Sequence, residues 1–256
     1  MKAQRIGFPD VKAAMKSAFL SILLLLPSFS VAADVQSVEL HHELVLPPGV
    51  KVVALTLDAC GGGFDAYLVN FLIEHHIQAT IFVTRRWIRR NPDALAILKA
   101  HADLFEIEDH GANHVPAILG VDRRIYGLAG VADLKQLRLE VSGGAEAVKA
   151  ATGIAPHWYR GATGEYDPEA LKAIEKMGYK VAGFSVNADN GATLSQKGII
   201  ARLKKVQGGD IIIAHLNKPA SDTGKGMAQG LQLLVDQGFS FVRLDASDVR
   251  TPHKRI

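Results

Sequence analysis

His110 and His114 are the residues of this chain whose type and spacing most directly suggest chemistry. Two imidazoles four residues apart can reach one metal ion from a single helical turn or a tight loop. The spacing alone is a weak signal, because a chain with ten histidines produces such pairs by chance. With suitable neighbours, however, this pair predicts half of a metal site.

Two apolar segments end in polar residues that would be suitable neighbours. Residues 52–57 lead into Asp58 and a glycine-rich turn, and residues 210–214 lead into His215. Apolar runs of this length are typical of buried strands. If the strands are parallel, their carboxyl ends meet at one face, and both residues are expected beside the histidine pair.

The remaining segments alternate between strand and helix patterns. Repeated αβ units with apolar strands predict a parallel sheet covered by helices, and nearly eight such units favour a closed barrel over an open sheet. Strands are predicted at residues 52–57, 78–83, 105–107, 158–159, 179–186, 210–214 and 239–244. Helices are predicted at residues 66–75, 93–101, 132–152, 168–177, 197–205 and 226–237.

An aspartate after an early strand, an HxxxH pair, an arginine after an aromatic residue (Arg160) and a late Ile-x-His occur here in that order. In these motifs the chain resembles the polysaccharide deacetylases of the NodB-homology group, carbohydrate esterase family four, over roughly residues 50 to 245. The resemblance implies an α/β fold, the distorted (β/α)7-type barrel, in a single domain. It also implies a hydrolase that removes acetyl groups from N-acetylated or O-acetylated polysaccharide.

The resemblance assigns roles to these residues. A divalent metal ion, expected to be zinc, would bind His110 and His114, with Asp58 as a further candidate ligand. Asp58 would also be the catalytic base, and Arg160 would pair with it and keep it ionised. His215 would protonate the departing amine.

Trp158, Tyr159 and Asn187 are the predicted substrate-binding residues, because they lie at or just after strand ends near the expected cleft. Trp158 could stack on a sugar ring. The polar loop at residues 216–226 is either a wall of the cleft or an ordinary connection. The only partner predicted is the polysaccharide or oligosaccharide substrate.

The first motif departs from the family pattern. The family has two successive aspartates, whereas in this chain Asp58 is followed by Ala59. The carboxylate ligand is therefore missing from its usual place. Asp58 itself could replace it, as could water or one of three other carboxylates, namely Asp65, Glu108 and Asp109. Cys60 is a softer candidate, although a lone cysteine is more often a small buried hydrophobic residue.

The later motifs differ as well, since Asn187 stands where the family has an aspartate. This change predicts that His215 lacks a charged partner to raise its pKa. Two other functions stay open: an inactive carbohydrate-binding protein on the same fold, and a metal-free hydrolase of a C–N bond in a small cyclic amide. Asp58, Arg160 and His215 together favour an enzyme, whereas Ala59 favours the binding protein.

The N-terminal segment predicts export. A basic start, an apolar core at residues 19–26 and the small residues Val31-Ala32-Ala33 are typical of a secretory signal peptide at residues 1–33, with Met15 as an alternative start of translation. The domain would then span residues 34–256 in the periplasm or outside the cell, with no stable membrane anchor after cleavage. A net charge of +3 gives no argument for nucleic acid, and a single cysteine excludes an intramolecular disulfide.

Overall fold

Fifteen strands and seven helices make up the described part of the computed structural model, which covers Met1 and residues 36–251. The strands are β1 (Val38–Glu39), β2 (Glu43–Leu44), β3 (Val52–Ala59), β4 (Ala79–Val83), β5 (Phe105–Asp109), β6 (Pro116–Ala117), β7 (Arg124–Ile125), β8 (Leu128–Ala129), β9 (Trp158–Tyr159), β10 (Ala162–Tyr166), β11 (Lys180–Val181), β12 (Val186–Asn187), β13 (Ile211–His215), β14 (Ser240–Val242) and β15 (Val249–Arg250). The helices are α1 (Ala66–Glu74), α2 (Arg85–Arg90), α3 (Pro92–Ala100), α4 (Leu134–Thr152), α5 (Pro168–Lys176), α6 (Gln196–Leu203) and α7 (Thr223–Asp236).

Seven parallel strands form the main sheet in the order β11-β9-β5-β4-β3-β13-β12, and β14 pairs with the first residues of β3. This arrangement confirms the predicted distorted (β/α) barrel. The register places the functional strand ends level with one another, since Asp58 on β3 lies opposite His215 on β13. On the other side, Val83 at the end of β4 pairs with Asp109 at the end of β5.

The side chains of β3 alternate between two environments, as the pleat of a strand requires. Leu57 and Ala59 belong to the large core between the sheet and its helices, and both are fully buried. Ala54 points to the other face, where it packs with Phe82 inside the barrel. Asp58 shares this inner face, so the alternation directs Asp58 inward and Ala59 outward.

Side chains at the helix N-termini fix where the helices begin. Asp65 accepts a hydrogen bond from the Leu68 N–H at 3.0 Å and caps α1, and Thr84 caps α2 in the same way. Helix α4 ends at Gly153, which adopts a left-handed conformation with φ of 81°. These caps account for boundaries that lie close to the predicted ones.

Several regions differ from the predicted elements, since helix α2 and strands β1, β2, β6, β10 and β15 were not predicted. Residues 179–186 were predicted as one strand but form the separate strands β11 and β12, because the carbonyls of Ala182 and Gly183 accept hydrogen bonds from the Arg160 guanidinium. The hairpin formed by β7 and β8 was not predicted at all.

Crossing a bilayer needs a long apolar helix, and none of the helices at residues 36–251 meets that requirement. Apart from Met1, the predicted signal peptide at residues 1–33 lies outside the described residues.

Candidate functional site

A cavity of about 490 Å³ opens at the carboxyl ends of the central strands. The volume lies within the range common for small-molecule sites. Its lining combines ionisable, amide and aromatic side chains, namely Glu39, Asp58, Cys60, His114, Tyr126, Leu128, Thr163, Phe184, Asn187, Asn190, Gly191, Thr193, Ile213, His215, Asn217 and Lys218.

Cys60, His110 and His114 converge beside this cavity. The Cys60 Sγ and one nitrogen of each imidazole all lie within 4.8 Å of one another, and Sγ is 3.5 Å from the His110 Nε2. The His110 Nδ1 donates a hydrogen bond to the Arg160 carbonyl at 2.7 Å, which leaves Nε2 available to an ion. One thiolate and two imidazoles are a donor set that suits zinc, so these residues fit a divalent metal ion.

The histidine pair lies on a loop rather than on a helix. Gly111 and His114 both have positive φ, 85° and 63°, and this geometry folds the loop back on itself after β5. The buried carboxylate of Glu140 on α4 accepts hydrogen bonds from the backbone N–H groups of Asn113 and Val115 at 2.7 and 3.1 Å. The Glu140 carboxylate therefore holds the loop backbone at two points, and Asp109 holds a third point by accepting the Gly111 N–H.

The electrostatic environment favours the thiolate form of Cys60. Burial acts to raise the pKa of its thiol, but hydrogen bonds with His110, His114 and His215 outweigh burial and hold the pKa well below its usual value. The thiolate is the form that binds metal ions.

Asp58 and Arg160 form a buried ion pair inside the barrel, with a distance of 2.9 Å between Nη1 and Oδ1. Burial acts to raise the pKa of Asp58, but Arg160, His110 and His215 together lower it, so the carboxyl group stays ionised. Its other oxygen, Oδ2, is 3.7 Å from the His110 Nε2. Among the described residues, the converging donor set consists of Cys60, His110 and His114, and the role of Asp58 as a further ligand stays a prediction.

The other carboxylates considered as ligands are engaged elsewhere. Asp65 caps α1. Glu108 accepts hydrogen bonds from the backbone N–H groups of His157 and Trp158 at 2.9 and 2.8 Å, and Asp109 accepts one from Gly111.

His215 has a charged partner, contrary to the prediction from the sequence. Asp189 is fully buried, its Oδ1 lies 3.0 Å from the His215 Nδ1, and its Oδ2 accepts hydrogen bonds from the His215 backbone N–H and the Thr223 hydroxyl. Burial acts to lower the pKa of His215, but Asp189 and Cys60 raise it well above its usual value. The prediction that His215 lacks a charged partner was therefore wrong.

The signal for Asp189 was present in the sequence, two residues after Asn187 in the same loop. It was overlooked because the aspartate was expected at the strand end itself.

The predicted substrate contacts divide into two groups. Asn187 lines the cavity. Trp158 is only 5 % exposed and packs with Phe82 and Phe184, and Tyr159 is fully buried in the neighbouring core. Neither aromatic residue lines the cavity, so both are corrected to core residues. Asn217 and Lys218 from the polar loop line the cavity instead.

Unusual backbone conformations are concentrated at this cavity. Non-glycine residues with positive φ are uncommon, and they cluster at functional sites in proteins. Four of those in the described chain line the cavity: His114, Tyr126, Thr163 and Asn190.

Comparison with known proteins agrees with this geometry. The chain is 24% identical over 207 residues, 77% of its length, to an uncharacterized 30.6 kDa protein in the fumA 3′ region of Geobacillus stearothermophilus, of which 71% is covered. Its fold is similar to that of BA3943, a CE4 family pseudoenzyme from Bacillus anthracis, with a TM-score of 0.62, 21% identity, and 78% of this chain and 66% of that chain covered. It is also similar to the fold of PdaA from Bacillus subtilis, a family 4 carbohydrate esterase. The TM-score is 0.63 and the identity 21%, and the match covers 82% of this chain and 84% of that chain.

The model of the polysaccharide deacetylase family matches residues 46–182, more than half of the chain. The matched segment contains Asp58, Cys60, the histidine pair and Arg160. The chain therefore belongs to the polysaccharide deacetylase family.

Proposed function

We propose that this protein is a metal-dependent hydrolase that removes acetyl groups from an acetylated glycan. The observation that carries the proposal is the convergence of three metal donors, Cys60, His110 and His114, next to the charged residues Asp58 and His215. A binding protein would not need an ionised carboxylate and a protonated imidazole in one cavity.

A divalent ion held by these donors would polarise an acyl carbonyl and lower the pKa of water. Asp58 accepts the proton of the attacking water at Oδ2, since Oδ1 is occupied by Arg160. His215 carries the proton that the departing amine needs, and it presents Nε2 to the cavity because Nδ1 is bound to Asp189.

The first test of the proposal is acetate release from acetylated chitin oligomers and cell-wall glycans by the purified protein. We expect release to be lost on chelation and restored by zinc. The Cys60→Ala variant should lose both activity and bound zinc, whereas Cys60→Asp should keep part of each because a carboxylate is also a zinc ligand. Equal zinc content in wild type and Cys60→Ala would contradict the assignment of Cys60.

Cobalt substitution gives a readout that does not depend on activity. A cobalt-loaded protein with a thiolate ligand should show a sulfur-to-metal charge-transfer band, and this band should be absent from Cys60→Asp. If wild type and variant have the same spectrum, Cys60 is not a ligand.

A second candidate function follows from the position of Cys60 beside His215. The hydrogen bonds that link Cys60 to His215, and His215 to Asp189, form a nucleophile, a base and an orienting carboxylate. In this alternative the thiolate attacks the acyl carbon, the C–N bond breaks, and His215 protonates the amine. Water then hydrolyses the thioester to release the acid and regenerate the thiol. Release that is insensitive to chelation and abolished by iodoacetamide would favour this route.

Some members of the fold lack activity, as the pseudoenzyme neighbour illustrates. Glycan binding without acetate release, with or without metal, would overturn the proposed activity and favour a carbohydrate-binding protein. The proposal includes export, because an envelope glycan lies outside the cytoplasm. Mass spectrometry of the protein recovered from the cell envelope should find an N-terminus near Ala33 or Asp34.

A further inference from the structure

A short hairpin lies at the cavity that holds the catalytic candidates. Strands β7 and β8 pair through Ile125 and Leu128, and a two-residue turn of Tyr126 and Gly127 connects them. Tyr126 is 79 % exposed and Leu128 is 38 % exposed, yet both line the same cavity as His114 and His215. The hairpin thus presents an aromatic ring and an aliphatic side chain at the mouth of the site.

The turn conformation is unfavourable for tyrosine. Tyr126 has φ of 49° and Gly127 has φ of 81°, which are typical of the type I′ turn that favours Asn-Gly. A bulky side chain in the left-handed region costs roughly 1 to 2 kcal/mol. Local folding therefore gives no reason for an aromatic residue at position 126.

The base of the hairpin is firmly held, although its tip is exposed. The Arg123 guanidinium forms an ion pair with the buried carboxylate of Asp167 at 2.6 Å, and Asp167 also accepts a hydrogen bond from the Leu119 N–H at 2.7 Å. Backbone hydrogen bonds join Gly120 to Val131 and Gly130 to Arg123 at 2.7 and 3.0 Å. A ring on such a support loses little conformational entropy when a ligand binds.

The other lining residues indicate which ligand matches this ring. Asn187, Asn190, Thr163, Thr193 and Asn217 supply amide and hydroxyl groups to the same cavity. A sugar ring has an apolar face of C–H groups and an edge of hydroxyl groups. An aromatic ring beside several neutral hydrogen-bonding side chains is complementary to both features.

We propose that Tyr126, supported by Leu128, is the platform on which one sugar ring of the glycan stacks while a neighbouring acetylated ring occupies the site. This proposal rests on the proposed function, because it requires the cavity to hold a glycan. It assigns substrate binding to an element outside the motifs that carry the chemistry.

The test uses three variants. Tyr126→Asn removes the ring and places a residue that suits the turn, Tyr126→Phe keeps the ring, and Tyr67→Ala removes an exposed tyrosine of α1 that does not line the cavity. Calorimetry with a tetramer of N-acetylglucosamine gives the Kd for each protein. Kinetics with the same tetramer give KM and kcat.

We expect Tyr126→Asn to raise Kd and KM about 3- to 12-fold, as loss of an aromatic contact implies, with kcat nearly unchanged and Tm equal or higher. Tyr126→Phe and Tyr67→Ala should stay within about twofold of wild type. An unchanged Kd in Tyr126→Asn would overturn the platform and leave the proposed function standing. If wild type bound neither the tetramer nor acetylated wall glycans, the platform and the proposed function would both be overturned.

Discussion

Cys60, rather than Ala59, lies among the side chains that could hold a metal ion. The family pattern places a second carboxylate directly after the aspartate, but Ala59 points into the core between sheet and helices. Asp58 and Cys60 both face the cavity. We therefore propose that a thiolate at position 60 compensates for the carboxylate missing at position 59, so that the metal site is altered rather than lost.

This arrangement predicts opposite outcomes for two aspartate substitutions. Ala59→Asp restores the family sequence but buries a charge among apolar side chains, so it should cost about 3 kcal/mol in the free energy of unfolding without increasing zinc affinity. Cys60→Asp places the carboxylate in the cavity and should retain zinc with little loss of stability. Urea unfolding and zinc titration would check both. Tighter zinc binding by Ala59→Asp would show that residue 59 can reach the ion.

The pair formed by Asp189 and His215 predicts a change in the pH profile. Asp189→Asn removes the charge that raises the pKa of His215, so the imidazole should lose its proton at a lower pH. Since His215 must be protonated to act as an acid, the alkaline decline of kcat should shift to lower pH. Activity at neutral pH should fall by about 10-fold or more.

Asn187→Ala is the control for this prediction, because Asn187 also lines the cavity, whereas the hydrogen bonds of the His215 Nδ1 go to Asp189. It should change KM more than the pH profile. The same alkaline limb in wild type and Asp189→Asn would contradict the role given to Asp189.

At the scale of elements, the sequence predicted the strands and helices with apolar patterns and missed those without them. Strand β3 and helix α4 were predicted to within two residues, because periodicity and capping residues define them. The hairpin of β7 and β8 was missed, because its two-residue strands carry no alternation and its turn has tyrosine where asparagine is usual. Local pattern therefore could not reveal the element to which we assign sugar binding.

Besides the hydrogen bonds of Glu140, helix α4 makes a close contact with the loop that carries His110 and His114, and this contact predicts the effect of a small substitution. A Cβ on Gly144 would overlap the Asp109 carboxylate and the Gly111 backbone. Gly144→Ala should therefore displace the loop that carries His110 and His114. We expect a loss of about 1 to 3 kcal/mol in the free energy of unfolding, although alanine favours helices, together with weaker zinc binding.

Glu146→Ala is the matched change on the same helix, because Glu146 is exposed. It should alter neither quantity. A Gly144→Ala protein with wild-type stability and zinc affinity would mean that the loop tolerates displacement, and α4 would then have no positioning role.

At the scale of the whole molecule, an α/β barrel could be predicted because apolar strand segments alternate with helical segments, whereas its distorted (β/α)7 form was implied by the family resemblance. The pairing of side chains across the barrel could not be predicted from the sequence. Asp58 reaches Arg160 over 102 positions of sequence, and His215 reaches Asp189 from a neighbouring strand. Trp158 and Tyr159 were wrongly predicted to line the cavity, because the sequence of a two-residue strand does not show which of its faces is buried.

Two carboxyl groups on one face of β5 predict how stability depends on pH. Glu106 and Glu108 lie on one face of the strand, and Glu108 is 2 % exposed. Burial raises the pKa of Glu108 to about 9, with further contributions from its hydrogen bond to Glu106 and the charge of Glu106. The folded protein therefore keeps this proton at neutral pH, whereas the unfolded chain releases it near the ordinary glutamate pKa of 4.5.

Between the two pKa values of Glu108, the unfolded state binds fewer protons than the folded state. The free energy of unfolding should therefore fall as pH rises from about 5 to 9. The contribution of this group is at most about 1.4 kcal/mol per pH unit. Glu108→Gln removes the titration, and its amide oxygen can still accept the hydrogen bonds of His157 and Trp158. The variant should therefore gain stability relative to wild type as pH rises. Urea unfolding at several pH values, with exposed Glu175→Gln as control, would measure the difference. Parallel curves for wild type and Glu108→Gln would mean that Glu108 is ionised in the folded protein, and the surrounding N–H groups and the Thr80 hydroxyl would then stabilise both charges.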